Sequence, residues 1–224
     1  MTGRAATNIS GTNQSYFFKG NKYVKIKWTP GTSDEEISYG PTEFVNEWAS
    51  LKETGFTQID AILPIPGHDH RAYFFSGSKY ARIEYVPGAG GDKILGGVRS
   101  IADNWASLKK AGFDHVDGAL IVPGKTDEAY IFSGEQYVRI KFVELKNDDE
   151  LLDGPKPITT GWSVTKFKSI DTIIPRPGNN QNAYIFSGDK YVQIKVNVGG
   201  YDELISDQRD VAPYWPSLHK AGFY

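Results

Sequence analysis

The chain has 224 residues, 39% hydrophobic and 13% aromatic, with 25 Lys and Arg set against 27 Asp and Glu and no cysteine. A formal net charge of −2 creates no bulk field toward nucleic acid or an anionic membrane, and the missing thiols exclude disulfides and cysteine nucleophiles. No apolar run approaches the roughly 20 residues of a membrane span, and Met1 to Ala5 hold no secretory apolar segment, so a cytoplasmic address without a nucleic-acid or membrane partner is expected.

Four copies of one pattern fill the chain: YFFKGNKYVKIKW from Tyr16, YFFSGSKYARIEY from Tyr73, YIFSGEQYVRIKF from Tyr130 and YIFSGDKYVQIKV from Tyr184. Each copy opens on a short apolar first strand, RAATNI from Arg4, DAILPI from Asp60, DGALIV from Asp117 and DTIIPR from Asp171. The second strand, Tyr73-Phe74-Phe75 and its equivalents, is apolar on both faces, as a strand covered on both sides requires. A hairpin at Gly20, Gly77, Gly134 or Gly188 follows. The third strand alternates, with Val24, Ile26 and Trp28 on one face and Tyr23, Lys25 and Lys27 on the other, and so reads as half covered.

A fourth strand is expected in EEISYG, DKILGG, DELLDG and DELISD. The period then changes to that of a helix, with Phe44, Trp48 and Leu51 on one face, repeated in Ile101, Trp105, Leu108 and in Val211, Trp215, Leu218. The third copy has Thr165 at the leucine position, so its helix should be the shortest. This pattern predicts an all-β, four-bladed β-propeller in a single domain over 1–224, with four-stranded blades at about 4–59, 60–116, 117–170 and 171–224, each followed by a short helix. Ala221-Gly222-Phe223 repeats Ala111-Gly112-Phe113, so the last residues should meet Arg4 and close the ring by packing instead of a shared strand.

The first strand, Tyr-Phe-Phe-x-Gly-x-x-Tyr-x-Arg/Lys-Ile and the Trp-centred helix together resemble the hemopexin-like repeat over essentially the whole chain. Within that family, Pro30 to Asp34, Tyr39 to Pro41 and Tyr214 to Leu218 look most like the plant albumin-2 proteins of legume seeds, free-standing propellers without the disulfide of secreted relatives.

In an extended strand, carbonyls of residues i and i+2 point the same way, so four inner strands offer two stacked oxygen rings suited to a hard cation, Ca²⁺ or Na⁺. The resemblance implies that the backbone carbonyls of Arg4, Asp60, Asp117 and Asp171 form an outer ring and those of Ala6, Ile62, Ala119 and Ile173 an inner one. The aspartates can equally cap turns, and Arg4 opposes a cation unless it swings outward or pairs with a neighbouring Asp.

The same resemblance implies a polyamine at the tunnel mouth, facing Asp60, Asp117 and Asp171, together with haem binding and a change of oligomeric state, a homodimer among the possibilities. His68 and His70, alternating on a segment read as extended, are the candidates for haem or transition-metal ligation. A different reading is carbohydrate recognition, a lectin with candidate residues His68, Asp69, Asn179 and Asn180 and gain by avidity. A third is a storage or protein-interaction propeller. With no Gly-x-Ser-x-Gly, phosphate-cradling Gly-Lys-Ser/Thr or His-Glu-x-x-His, no enzyme is expected.

Overall fold

The computed structural model describes residues 3–32 and 34–224; Ser33 of the Pro30–Asp34 turn lies outside the described residues. Each repeat folds into its own antiparallel sheet. The first blade holds β1 (Arg4–Asn8), β2 (Gln14–Lys19), β3 (Lys22–Lys27) and β4 (Glu36–Glu43), then α1 (Phe44–Glu47) and α2 (Ala49–Thr54). The second holds β5 (Ala61–Pro64), β6 (Arg71–Ser76), β7 (Lys79–Glu84) and β8 (Lys93–Ser100), then α3 (Ile101–Asn104) and α4 (Ala106–Ala111). The third holds β9 (Gly118–Ile121), β10 (Glu128–Ser133), β11 (Gln136–Lys141) and β12 (Glu150–Pro157), then α5 (Ile158–Gly161) and a 3₁₀ turn, Ser163–Thr165. The fourth holds β13 (Thr172–Arg176), β14 (Asn179–Ser187), β15 (Lys190–Lys195) and β16 (Glu203–Asp210), then α6 (Val211–Tyr214) and α7 (Pro216–Lys220). Strands pair in chain order within each of the four sheets, so the fold is a four-bladed β-propeller. Among the described residues no helix is long and apolar enough to cross a membrane.

Two expectations change in detail. The single helix is two short helices broken at the tryptophan: Trp48 leaves helical geometry at φ −107°, ψ 97°, yet its N–H donates to the Phe44 carbonyl and its own carbonyl accepts from Lys52. The break turns the indole inward while both flanking turns stay hydrogen-bonded, and it recurs at Trp105, Trp162 and Trp215. All four tryptophans are buried. The third strand, in turn, is not simply half covered: Tyr23 is buried, its ring 5.9 Å from Trp48 and edge-on to it. The tryptophan therefore covers the near end of that face and leaves the lysines in water. In the third copy, where Thr165 replaces leucine, the second helix is reduced to the 3₁₀ turn as expected.

Each apolar cluster contains residues from two successive blades, Phe18 and Trp48 with Phe74 and Tyr85 for example. Polar caps follow the same neighbour rule. The first N–H groups of a short helix have no partner inside it, and a carboxylate from the next blade accepts them: Asp92 from Ser50 at 2.6 Å, Asp149 from Ala106 and Ser107 at 3.0 and 2.7 Å, Glu35 from Ser217 at 3.2 Å. At the junction of blades 3 and 4 the helix has shrunk, and Asp202 accepts the Asn197 amide instead, at 2.9 Å. Burial pushes the Asp202 carboxyl up to about 6.

The ring closes by side-chain packing. Phe223 is buried with Ala6 and Phe17, Lys19 donates to the Gly222 carbonyl at 2.8 Å, and Arg4 lies over the Tyr224 ring at 4.4 Å.

Candidate functional site: the central tunnel

The inner strands β1, β5, β9 and β13 stand side by side around the axis. Hydrogen bonds from Gly20 to Gly3 and from Ile9 to Gln14 set the phase of β1, placing its odd residues on the ladder to β2. The carbonyls of Arg4 and Ala6 therefore lie off that ladder, on the axial side. The corresponding bonds from Ile65 to Arg71 and from Val122 to Glu128 give the same phase for Asp60 and Ile62 and for Asp117 and Ala119. In the fourth blade, Asp171 donates to Phe186 as Asp60 does to Phe75, so Asp171 and Ile173 follow suit. Between these strands runs an axial void of about 10 Å³ bordered by Arg4, Ala6, Asp60, Ile62, Asp117 and Ile173. That is about the space of one water-sized sphere, and a set of backbone oxygens without thiolate or imidazole fits a hard cation.

The aspartate side chains do different work. Asp60 accepts the Gly77 amide at 2.7 Å, Asp117 the Gly134 amide at 2.8 Å and Asp171 the Gly188 amide at 2.6 Å, so each carboxylate clasps the hairpin turn of its own blade. Glycine is required there because the turn needs positive φ, 54° at Gly77 and 61° at Gly188. Asp60 also accepts from Gly3 and Gln58, and His115 Nε2 stands 3.3 Å from Asp117. All three aspartates are buried. In blade 1, Arg4 stands at the aspartate position, and the Gly3 carbonyl takes over the clasp by accepting from Gly20 at 2.7 Å. The Arg4 guanidinium turns off the axis to Asp171 at 3.2 Å and the Gly188 carbonyl at 2.9 Å.

At the other mouth, where the inner strands end, a bowl of about 350 Å³ opens. Its wall is apolar, from Ile62, Pro64, Leu120 and Pro175, and its rim carries Asn8, Ser10, His68, Asp69 and Asn180. Two of the loop groups singled out in blade 2 and one from blade 4 thus meet here, while Asn179 is occupied with the Gln181 amide. Asp69 is steadied by Ser10 Oγ at 2.9 Å, and Asn8 donates to the Pro175 carbonyl at 2.8 Å. The sequence marks Asn8 and Ser10 only as an Asn-Ile-Ser glycosylation pattern and not as part of a binding site; ring closure brings them to the rim.

Protein-family models give no match to the chain. It is, however, 30% identical over 217 residues to Albumin-2 of Lathyrus sativus, covering 96% of this chain and 94% of that protein. The chain belongs to the albumin-2 family. Two solved structures agree over the whole propeller: a hemopexin fold protein from cow pea, 32% identical with TM-score 0.85, and a plant lectin with two metal binding sites from Cicer arietinum, 30% identical with TM-score 0.85, each match covering 96% of both chains.

In this albumin-2 family member the two loop histidines do not converge. The segment around Gly67 is turned, not extended, so His68 points Nε2 at Glu144, 3.2 Å away, while His70 packs its ring 5.6 Å from Tyr85. Among the described residues, no group of three or more His, Cys, Asp or Glu side chains is arranged to hold a metal ion. Backbone oxygen is thus the donor type that the albumin-2 tunnel offers a cation.

Proposed function

We propose that this protein is a non-catalytic binding propeller that holds Ca²⁺ or Na⁺ among its axial carbonyls and takes an aliphatic polyamine in the bowl beneath. The observation that carries this is the continuity of an apolar-walled bowl with a narrow oxygen-lined void on one axis. Methylene segments suit the wall, one ammonium suits the carbonyl floor, and Asp69 at the rim suits another. The buried aspartates act in this reading as turn clasps, and the polyamine meets backbone oxygen in place of their carboxylates. Only His68 of the two histidines borders the bowl, so ligation of haem by both is not part of the proposal. Calorimetric titration with spermine tests it: saturable binding that weakens several-fold in Asp69→Asn is expected, and no heat of binding, with or without Ca²⁺, would overturn it.

A second reading is carbohydrate recognition, suggested by the Cicer arietinum lectin and favoured by two exposed aromatic rings, Tyr39 at 42% and Tyr214 at 43%. A glycan array separates it from the first.

A further inference from the structure

Three of the blade junctions share one plan, and two of these three are open. Where blades meet, buried Tyr16, Tyr73 and Tyr184 come up against the segments of Gly88, Leu145 and Gly31 in the next blade. Beside these contacts lie clefts of about 320 Å³ between blades 1 and 2 and between blades 4 and 1, whereas the cleft between blades 2 and 3 shrinks to about 30 Å³. The difference has a local cause. Gly88-Ala89-Gly90 and Gly31-Thr32 wall the open clefts with small groups, while Leu145 stands at the corresponding place in the third.

Both open clefts have an aromatic lining. In one, Tyr39 lies 6.0 Å from Tyr23 at a 32° tilt, with Trp48 beneath; in the other, Tyr214 lies 6.3 Å from Tyr191, with Trp215 beneath. The polar groups beside the first include Lys25, Asn46, Glu47 and Asp92, and those beside the second include Glu35, Gln193, Ser206 and Arg209. A flat apolar ring flanked by amide, carboxylate and cationic hydrogen-bonding groups matches a pyranose, whose C–H face is apolar and whose edge carries hydroxyls. Lys25 and Arg209 stand 6.0 and 4.8 Å from the two exposed rings and add a hydrogen-bond donor to each cleft.

We propose that these two clefts are paired saccharide sites, so that a single chain is divalent. This rests on the carbohydrate reading above and adds to it a location and a valency. Two sites on different sides of one rigid ring can bridge two glycan-bearing surfaces without oligomerisation.

The test is an NMR titration of the intact protein with the methyl glycosides of galactose, mannose and N-acetylglucosamine, following the indole N–H signals. The expected result is a saturable shift of Trp48 and Trp215 while Trp162 stays still. Tyr39→Ala should weaken the Trp48 response at least tenfold and leave Trp215 unchanged, Tyr214→Ala should do the converse, and either variant alone should abolish erythrocyte agglutination. Glycoside binding that moves neither indole, or that survives the double variant, would overturn the clefts and leave the carbohydrate reading standing. Absence of binding by all three glycosides would overturn both.

Discussion

Arg4 crosses the ring seam to Asp171, Nη1 standing 3.2 Å from the same carboxylate oxygen that clasps Gly188. One residue thus joins the first blade to the hairpin of the last, and it does so at the position where the other blades carry the clasping aspartate.

Arg4→Ala should therefore destabilise the protein by about 1 to 3 kcal/mol, between the values for exposed and for buried pairs. Arg4→Lys should recover only part of this, because an ammonium lacks the planar face that lies over Tyr224 while Nη1 donates to Asp171 and Gly188. Urea denaturation measures both; an unchanged midpoint in Arg4→Ala would remove the seam role.

Asp60 and Asp69 lie at opposite ends of the tunnel and should respond oppositely. Asp60→Ala strands the Gly3 and Gly77 amides in the interior, a loss of about 2 to 4 kcal/mol. Asp69→Asn, on the open rim, should change stability by less than about 0.5 kcal/mol while weakening spermine. Thermal melts and calorimetry on the two variants check the division.

Removal of the axial cation should lower the melting temperature, since a ligand bound only by the folded ring stabilises it by mass action. Dialysis against a chelator in sodium-free buffer, followed by readdition of Ca²⁺, should lower and then restore the transition. A melt indifferent to both cations would end the axial-site proposal.

Asp202 should impose a pH dependence. Its folded value of about 6 lies above the unfolded value of about 3.9, so between those pH values the native state holds more protons than the unfolded one. Stability from this group is present below about pH 4 and lost as pH rises through about 6. Asp202→Asn should flatten that part of the profile and raise stability at pH 7 to 8. Denaturation midpoints at pH 4, 5, 6 and 7.5 give the comparison.

The repeats made the blade count, the buried tryptophans and closure by packing legible in the sequence, because periodicity reports which face is apolar. The helix break at Trp48 was not legible, since i, i+4 spacing is the same whether or not the central residue leaves helical geometry. The turn-capping alternative for the aspartates is the one the Asp60 side chain takes, and spacing did not decide it because an inward carbonyl and a blade-facing carboxylate coexist on one residue. The open clefts escaped because Tyr39 and Tyr214 occupy different places in their repeats and become comparable only across junctions. Arg4, a departure in the sequence, found its explanation in the partner it meets across the seam.

Among the described residues no strand is exchanged at that seam, and this sets the order of events during folding. Every ladder joins nearby segments, whereas the Arg4–Asp171 and Lys19–Gly222 contacts span 167 and 203 residues. Closing so long a loop carries the largest entropic cost, and contacts of high sequence separation form slowly. The blades should therefore assemble first and the circle last, like a split washer pressed shut. On the way out, amide hydrogen exchange should accelerate at the blade 4 to blade 1 gap before it does so between blades 2 and 3.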